Sequence, residues 1–327
     1  MSGTRLSSVR RIEFAVDWPP GHVAAYLLDL DEPVLVDAGM RSDYDGGDEH
    51  PDDTLDAALA ETGYELADIE HLVVTHPHVD HVGQAPRIIE AADPTVYAPV
   101  GVRERFDRDV DALAERVRDN ASAAGIAGDQ LDEAVEMAVE SLRRDRSLLP
   151  PDAVDEWLDS GPVELGPLSA EAVHVPGHQA DHLAFLTDLD GERALLAGDM
   201  ALEPFRAVLL HDGLDDGYVD AVDGFYAALD RLADLEVDRV YPGHGPVHDQ
   251  FDEVVERDRD RLDAQLDRIE GKLSEGLRTV PGVAMALAGD RGVRYMIPEA
   301  MSALAHLERT GRATVTVEDG VRYYDPA

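Results

Sequence analysis

The segment Leu72-Val73-Val74-Thr75-His76-Pro77-His78-Val79-Asp80-His81 determines how this sequence is interpreted. Its apolar run predicts a buried strand, and four side chains that can bind metal follow within six residues. A strand alternates its faces and a tight turn redirects the chain. His76 and His78 can therefore converge on one ion, while Asp80 and His81 reach a second. Imidazole and carboxylate are ligands of Zn, Mn and Fe, so the segment predicts a metal site.

Three later segments place a potential ligand in the same way. Val173 to His178, Ala194 to Asp199 and Val240 to His244 each run from apolar residues to a His or Asp. A glycine beside each ligand lets the backbone turn sharply and approach closely. The alternative, a polar surface loop that happens to be rich in histidine, does not account for four strand ends of this kind.

The order His-x-His-x-Asp-His, then His, Asp and His, resembles the metallo-β-lactamase superfamily of hydrolases, from about Phe14 to His244. The resemblance implies an α/β fold, the αββα sandwich, and two divalent metal ions, Zn first, with Mn or Fe as alternatives. It implies that the first ion is held by His76, His78 and His178, that the second is held by Asp80, His81 and His244, and that Asp199 bridges both.

Further residues are expected to support or extend this site. Asp80 and Asp199 are the carboxylates expected to act in catalysis. Asp37 corresponds to a supporting acid of the family, although a turn-forming Asp before Gly39 explains it equally well. His182 is expected to be a supporting or packing histidine rather than an eighth ligand. The loop just past Asp199 offers three candidate substrate contacts, namely Phe205, Arg206 and His211.

The expected organisation is a catalytic domain over residues 1–250 and a C-terminal unit over residues 251–327. Helical spacing of apolar residues predicts a helical insertion over residues 103–158, which either walls the substrate pocket or is a structural hairpin. A long charged helix follows residue 251, and helices over 280–288 and 298–310 precede two strands. The turn Glu318-Asp319-Gly320 predicts a hairpin, and the whole unit resembles a small winged-helix domain.

The predicted chemistry is hydrolysis. Two divalent ions lower the pKa of a bridging water, so that hydroxide attacks a carbonyl whose developing charge the ions stabilise. An ester or thioester is the first expectation, in the manner of hydroxyacylglutathione hydrolases. Cleavage of phosphodiesters in single-stranded RNA is the alternative, because some family members with a winged-helix C-terminus cut RNA. An iron dioxygenase acting on persulfides needs only three of the ligands, and a binding module needs none, so both fit less well.

Composition restricts the setting of the protein. The 327 residues carry 69 acidic against 28 basic side chains, a net charge of −41, and no cysteine. Disulfides, thiol nucleophiles and cysteine ligands are thereby excluded. The acidic residues are spread along the chain, which is typical of a cytoplasmic protein in a salt-rich cell. Met1 to Ser8 lacks the apolar core of a signal peptide, and no apolar run reaches the ~20 residues of a membrane span.

The charge also bears on the choice between ester and RNA. A strongly acidic protein is a poor partner for a polyanion. Residues 281–327 carry five Arg and six acidic residues, a net of −1, which leaves −40 for the remainder. This near-neutral tail either tolerates nucleic acid or lies against the catalytic domain or a second subunit. The apolar residues in it favour packing, with a homodimer as one outcome.

Overall fold

Two β-sheets lie face to face at the centre of the fold. The computed structural model describes residues 8–47, 49–288 and 293–327. The first sheet consists of β1 (Val9–Ala15), β2 (His22–Leu28), β3 (Val34–Val36), β4 (His71–Val73), β5 (Thr95–Pro99) and β6 (Glu156–Leu158), side by side in that order. The second consists of β7 (Gly161–Leu165), β8 (Leu168–His174), β9 (Leu183–Leu189), β10 (Glu192–Gly198) and β11 (Arg239–Pro242).

Strand direction changes across each sheet. In the first sheet, β1 to β3 pair antiparallel and β3 to β6 pair parallel. In the second sheet, β7 to β10 pair antiparallel and β10 pairs parallel with β11. The parallel pairs β3 with β4 and β10 with β11 bring the carboxyl ends of neighbouring strands to the same edge.

The interior of the sandwich follows from the two-residue period of the strands. Along β2, Ala24, Tyr26 and Leu28 point toward the second sheet and meet residues such as Leu168 and Phe185. The alternate residues of β2 point away from the second sheet and pack with helices on the outer face. Both faces of β2 are therefore buried, which explains its nearly continuous apolar sequence.

Helices cover both outer faces of the two sheets. The first sheet is covered by α1 (Pro51–Thr62), α2 (Val79–Val82), α3 (Ala85–Ala92), α4 (Val100–Phe106), α5 (Val110–Ala123) and α6 (Asp129–Leu148). The second sheet is covered by α7 (Ala221–Ala233), α8 (Phe251–Ser274), α9 (Val280–Ala288) and α10 (Val293–Arg309). The layers therefore run helix, sheet, sheet, helix, and the predicted αββα sandwich is confirmed.

The helices predicted over residues 103–158 are present as α4, α5 and α6, but the predicted bounds are wrong at both ends, because α4 begins at Val100 and residues 156–158 form β6. The last of these helices begins at Asp129, and Gly128 precedes it as the cap. Arg108 and Arg116 of this region form ion pairs with Asp215, on the loop that follows β10.

None of the described helices is both long and apolar enough to cross a membrane.

The C-terminal unit has the predicted order of helix, helix and hairpin, the last formed by β12 (Ala313–Glu318) and β13 (Val321–Pro326). The predicted start of its second helix at Pro298 is wrong, because α10 begins at Val293 and contains Pro298. Proline lacks an N–H and costs an interior helix one hydrogen bond, but packing of α10 compensates. Leu304 and Leu307 belong to the same apolar cluster as Phe225 of α7.

Candidate metal centre

All seven predicted ligands lie at one edge of the sandwich, where strands of both sheets end. The four from the first motif follow β4, and two of them, Asp80 and His81, lie on the short helix α2. His178 follows β8, Asp199 comes directly after β10, and His244 comes shortly after β11. The fold thus brings together side chains that are far apart in the sequence.

Three imidazoles form the first group. Nδ1 of His78 lies 3.0 Å from Nε2 of His76 and 3.0 Å from Nε2 of His178. A tetrahedral zinc ion with Zn–N distances of about 2.0–2.1 Å separates its ligand nitrogens by roughly 3.3 Å. The three nitrogens are therefore spaced much as they would be around one shared ion, and this group fits a metal.

The second group combines two imidazoles with a carboxylate, those of His81, His244 and Asp80. Nε2 of His244 lies 3.4 Å from Oδ2 of Asp80. Nε2 of His81 is fully buried, and no described residue, including Asp199 at 3.2 Å, meets it with the geometry of a hydrogen bond. A buried polar atom without a partner calls for an explanation, and a cation at this position supplies one. This group also fits a metal.

Asp199 lies between the two groups. Its Oδ2 is 3.1 Å from Nε2 of His178 and 3.4 Å from Nε2 of His244. Its Oδ1 is 3.2 Å from Nε2 of His81. One carboxylate thus contacts ligands of both groups, which is the position that a bridging ligand requires.

Four of the imidazoles are oriented by a second contact on Nδ1. Nδ1 of His178 lies 2.8 Å from the carbonyl oxygen of Val208, and Nδ1 of His244 lies 2.7 Å from the carbonyl oxygen of His22. A carbonyl oxygen only accepts, so Nδ1 carries the proton and Nε2 presents its lone pair to the centre. In His81 the contact is with a carboxylate oxygen, and in His76 it is with the hydroxyl of Thr75.

Asp37 is the carboxylate that orients His81. Its Oδ2 lies 2.8 Å from Nδ1 of His81, and its Oδ1 accepts a hydrogen bond of 2.8 Å from the main-chain N–H of Thr75. Its φ of 57° also places it in a left-handed turn before Gly39. Both interpretations of this residue from the sequence therefore describe it, because the turn directs the carboxylate toward the centre.

Electrostatics divide the histidines into two kinds. Burial lowers the pKa of His76 and His78 well below the ordinary value, so both are neutral and able to bind metal. Burial also lowers the pKa of His244, but the carboxylates of Asp199 and Asp80 outweigh it and raise that pKa to about 10. The carboxylates thus attract positive charge to the second group, which a divalent ion would provide in place of the proton.

His182 lies behind the first group. It is fully buried, its ring centroid is 4.6 Å from that of His76, and neither ring nitrogen has a partner among the described residues. It belongs to none of the described groups that could hold an ion. A Cβ on Gly198 would lie 2.4 Å from its Nε2, so the imidazole packs directly against the end of β10.

Sequence reasoning misjudged one residue near the centre and missed several others. Arg206 was expected to contact substrate, but its guanidinium is buried in an ion pair with Glu299 of α10. The carbonyl groups of His22 and Val208 could not be identified from the sequence, because any residue supplies a main-chain carbonyl. Glu299 also carried no sequence signal, since it lies in an apolar helix far from every motif.

Comparisons with known proteins find related sequences over most of this chain. A sequence model of the metallo-beta-lactamase superfamily matches residues 18–244. The Beta-lactamase-like protein 2 homolog of Caenorhabditis elegans is 28% identical over 65% of this chain. That match spans 53% of the relative, so the chain covers about half of the relative's length. A Hydroxyacylglutathione hydrolase of Alkalilimnicola ehrlichii is 28% identical over 72% of this chain and 70% of its own.

The fold as a whole is also found among solved structures. A metallo-beta-lactamase family protein from Thermus thermophilus superimposes with a TM-score of 0.77 at 22% identity. The superposition covers 98% of this chain and 99% of the other. Because it extends over nearly the whole chain, it includes the C-terminal unit as well as the sandwich.

Proposed function

The chain belongs to the metallo-beta-lactamase superfamily, and from this premise we propose that it is a hydrolase that uses two divalent metal ions to cleave carboxylic esters or thioesters. Zinc is the proposed metal. The observation that carries the proposal is the position of Asp199, whose Oδ2 lies within 3.4 Å of ligand nitrogens from both groups. A centre for a single ion would not need that arrangement.

The residues have separate roles in this proposal. The imidazoles of His76, His78 and His178 hold the first ion, and the side chains of Asp80, His81 and His244 hold the second, with Asp199 as a ligand to both. When bound, the two ions supply an acidified water and stabilise negative charge on a carbonyl oxygen. Asp80 and Asp199 are both buried, and although burial raises the pKa of each carboxyl, the neighbouring histidines outweigh it and lower that pKa. Both carboxylates are therefore ionised and positioned to orient that water.

A thioester or ester suits the chain better than RNA. One relative is a Hydroxyacylglutathione hydrolase by name, which supports an acyl substrate. The three arginines within residues 281–327 whose side chains the structure describes are all paired with acids. Arg309 pairs with Asp220 and Asp223, and Arg312 and Arg322 pair with glutamates. Cations already neutralised in this way have little attraction left for phosphates.

The helical insertion is proposed to form one wall of the substrate pocket. Its Arg108 and Arg116 hold Asp215, and Arg108 also holds Asp212, on the loop that begins directly after Asp199. Both aspartates are almost completely buried at the side chain. The insertion is thus attached to the segment that leaves the centre, although it supplies none of the seven ligands.

The test is a substrate screen with zinc-loaded protein and two variants. The panel contains thioesters, aryl esters, bis-aryl phosphodiesters and single-stranded RNA. We expect acyl substrates to be cleaved, two zinc ions per chain by elemental analysis, and no activity in Asp199→Ala. Asp188→Ala, which removes an exposed carboxylate from β9, is the matched control and should keep both properties. A single ion per chain, or cleavage of RNA alone, would contradict the proposal.

A further inference from the structure

Glu299 is a buried charged residue that is neither one of the seven candidate ligands nor a direct contact of one. It lies on α10 with its side chain only 1% exposed, in an ion pair with Arg206. Gln265 of α8 donates a further hydrogen bond to the same carboxylate oxygen, Oε1. Burial raises the pKa of Glu299, but attraction to Arg206 outweighs it and leaves that pKa below its ordinary value. The carboxylate is therefore ionised and held in place.

The other carboxylate oxygen of Glu299 faces the segment behind His178. Oε2 accepts a hydrogen bond of 3.1 Å from the main-chain N–H of Leu209. The carbonyl of the same peptide group, that of Val208, accepts a hydrogen bond of 2.8 Å from Nδ1–H of His178. In a trans peptide the N–H and C=O point in opposite directions, so one planar group lies between carboxylate and imidazole.

Charge at one end of this peptide group acts on the other end. A negative carboxylate at the N–H polarises the amide and makes its carbonyl oxygen a stronger acceptor, since hydrogen bonds in series reinforce one another. The carbonyl of Val208 then holds the proton of His178 on Nδ1 and keeps the lone pair of Nε2 toward the centre. The main-chain N–H groups of Leu210 and His211 also bond to the carbonyl of His178, which fixes the segment further.

We propose that Glu299 is a positioning residue for the metal centre, acting through the Val208–Leu209 peptide to fix the orientation and tautomer of His178. This inference rests on the proposed function, because it takes His178 as a ligand of the first ion. Metal-binding histidines commonly donate their second N–H to a carboxylate or to a carbonyl. Here a carbonyl and a carboxylate act in series, and the carboxylate comes from the C-terminal unit.

The alternative role for Glu299 is only to attach α10 to the loop after Asp199. That role predicts a loss of stability on substitution, with the metal affinity of the folded protein unchanged. A role in positioning predicts instead that the affinity for the first ion falls and that its coordination changes. The two roles are therefore separated by measurements on the metal, not by a melting temperature.

The test measures zinc affinity by competition with a chelator, and the visible spectrum of the cobalt-substituted protein. Glu299→Gln keeps the size of the side chain and removes its charge. The double variant Glu299→Gln/Arg206→Met avoids leaving a buried arginine unpaired. Glu299→Asp restores the charge on a shorter side chain. We expect the first two to lower the affinity for the first zinc ion about 10- to 100-fold and to shift the cobalt spectrum, with partial recovery in Glu299→Asp.

Asp258→Asn is the matched control. Asp258 is a buried carboxylate on α8 beside Arg257, and Arg257 donates to the carbonyls of Leu202 and Phe205 on the same loop. Its hydrogen bond and ion pair are with Arg257 rather than with the Val208–Leu209 peptide. Zinc affinity and cobalt spectrum should therefore match those of the unsubstituted protein.

Three results would overturn the inference. A folded charge-removing variant with unchanged zinc affinity and an unchanged cobalt spectrum would leave Glu299 with only a packing role. Nitrogen NMR of histidine-labelled, zinc-loaded protein provides a second measurement without substitution. We expect a proton on Nδ1 of His178, and its absence would exclude the proposed contact even if no variant folds. Unsubstituted protein that binds no zinc would instead refute the proposed function, and the inference with it.

Discussion

The two sheets support their candidate metal ligands in different ways. In the first half of the chain, the carboxylate of Asp37 contacts Nδ1 of His81 directly and also bonds to Thr75. These residues lie on adjacent parallel strands, or just beyond them, so the support is part of the first sheet itself. In the second half, the support of His178 passes through the peptide of Val208 and Leu209 to α10.

The difference follows from what comes after each strand. A short turn connects β4 to the helix α2, and two of the four candidate ligands in this segment, Asp80 and His81, lie on that helix. After β10 the chain enters a long loop, and helices from the C-terminal unit contact that loop from outside. Arg257 and Arg261 of α8 donate to its carbonyl groups, and Glu299 of α10 binds Arg206 and Leu209. A loop without its own hydrogen-bonded scaffold needs partners of this kind.

Removal of the C-terminal unit should have the largest effect. Truncation after Gly276 removes α9, α10 and the hairpin, with apolar side chains such as Val283, Leu304 and Leu307 that are fully buried against the second half. At about 1.5–3 kcal/mol for each buried aliphatic side chain, the loss approaches the whole net stability of a typical domain. We expect a much lower melting temperature or no cooperative unfolding, measured by calorimetry.

Light scattering on the same truncated protein tests whether the exposed surface associates into oligomers. Val317→Ser, at a side chain that is 62% exposed on the hairpin, is the control and should melt like the unsubstituted protein. If the truncated protein kept its melting temperature and its metal, the second half would support itself as the first half does, and the comparison would fail.

Substitution of Asp37, whose carboxylate contacts His81 directly, should have the next largest effect. Asp37→Asn keeps the left-handed backbone, because asparagine tolerates a positive φ, but removes the charge that faces His81. We expect affinity for the ion at His81 to fall about 10- to 100-fold, and at least as much as in Glu299→Gln, because no peptide intervenes. Competition with a chelator gives both values.

Asp93→Asn provides the control for that experiment. Asp93 also has a positive φ, of 50°, but it lies at the end of α3, away from the centre. Its zinc affinity should be unchanged. A larger loss in Glu299→Gln than in Asp37→Asn would reverse the order of the two supports.

Salt should stabilise the protein by a moderate amount. Residues 1–280 carry a net charge of −40 and residues 281–327 only −1, so mutual repulsion arises almost entirely outside the C-terminal segment. Screening at molar KCl shortens the reach of that repulsion to about 3 Å. We expect the melting temperature to rise by several degrees from dilute buffer to molar KCl, and equally in potassium glutamate. A flat or falling value would argue against adaptation to a salt-rich cell.

The smallest expected effect concerns Asp258 on α8. Burial raises its pKa to about 6 in spite of the adjacent Arg257, so folding favours the protonated carboxyl. An acid with a raised pKa stabilises the fold at low pH and loses that contribution as pH rises through 6. Relative to Asp258→Asn, the unsubstituted protein should therefore lose up to about 3 kcal/mol between pH 4 and pH 7.

Urea unfolding of both proteins in molar KCl at each pH measures that difference. Parallel pH profiles for the two proteins would show that folding does not raise the pKa of Asp258. The difference between the two buried carboxylates of the second half, a raised pKa at Asp258 and a lowered pKa at Glu299, would then disappear.

The sequence alone predicted the strands and the seven candidate ligands, and the resemblance that those ligands carry implied the αββα layers that the structure confirms. Apolar runs that end in His or Asp beside glycine specify both the strands and the side chains at their ends, because strand period and turn chemistry are local properties. The helices of the insertion and the final hairpin were also readable, since their signals lie within about ten residues. The misplaced start of α10 was a local error, because proline is compatible with the start of a helix and is only occasionally found within one.

Only the tertiary structure decided which groups hold the ligands in place. Leu209 and Glu299 are 90 residues apart, and His178 and Val208 are 30 apart, so no periodic pattern connects them. The supporting atoms of Val208 and Leu209 belong to the main chain, whose hydrogen bonds do not depend on residue identity. The prediction for Arg206 was wrong because the sequence does not distinguish a loop arginine that faces a site from one that is buried against a distant helix.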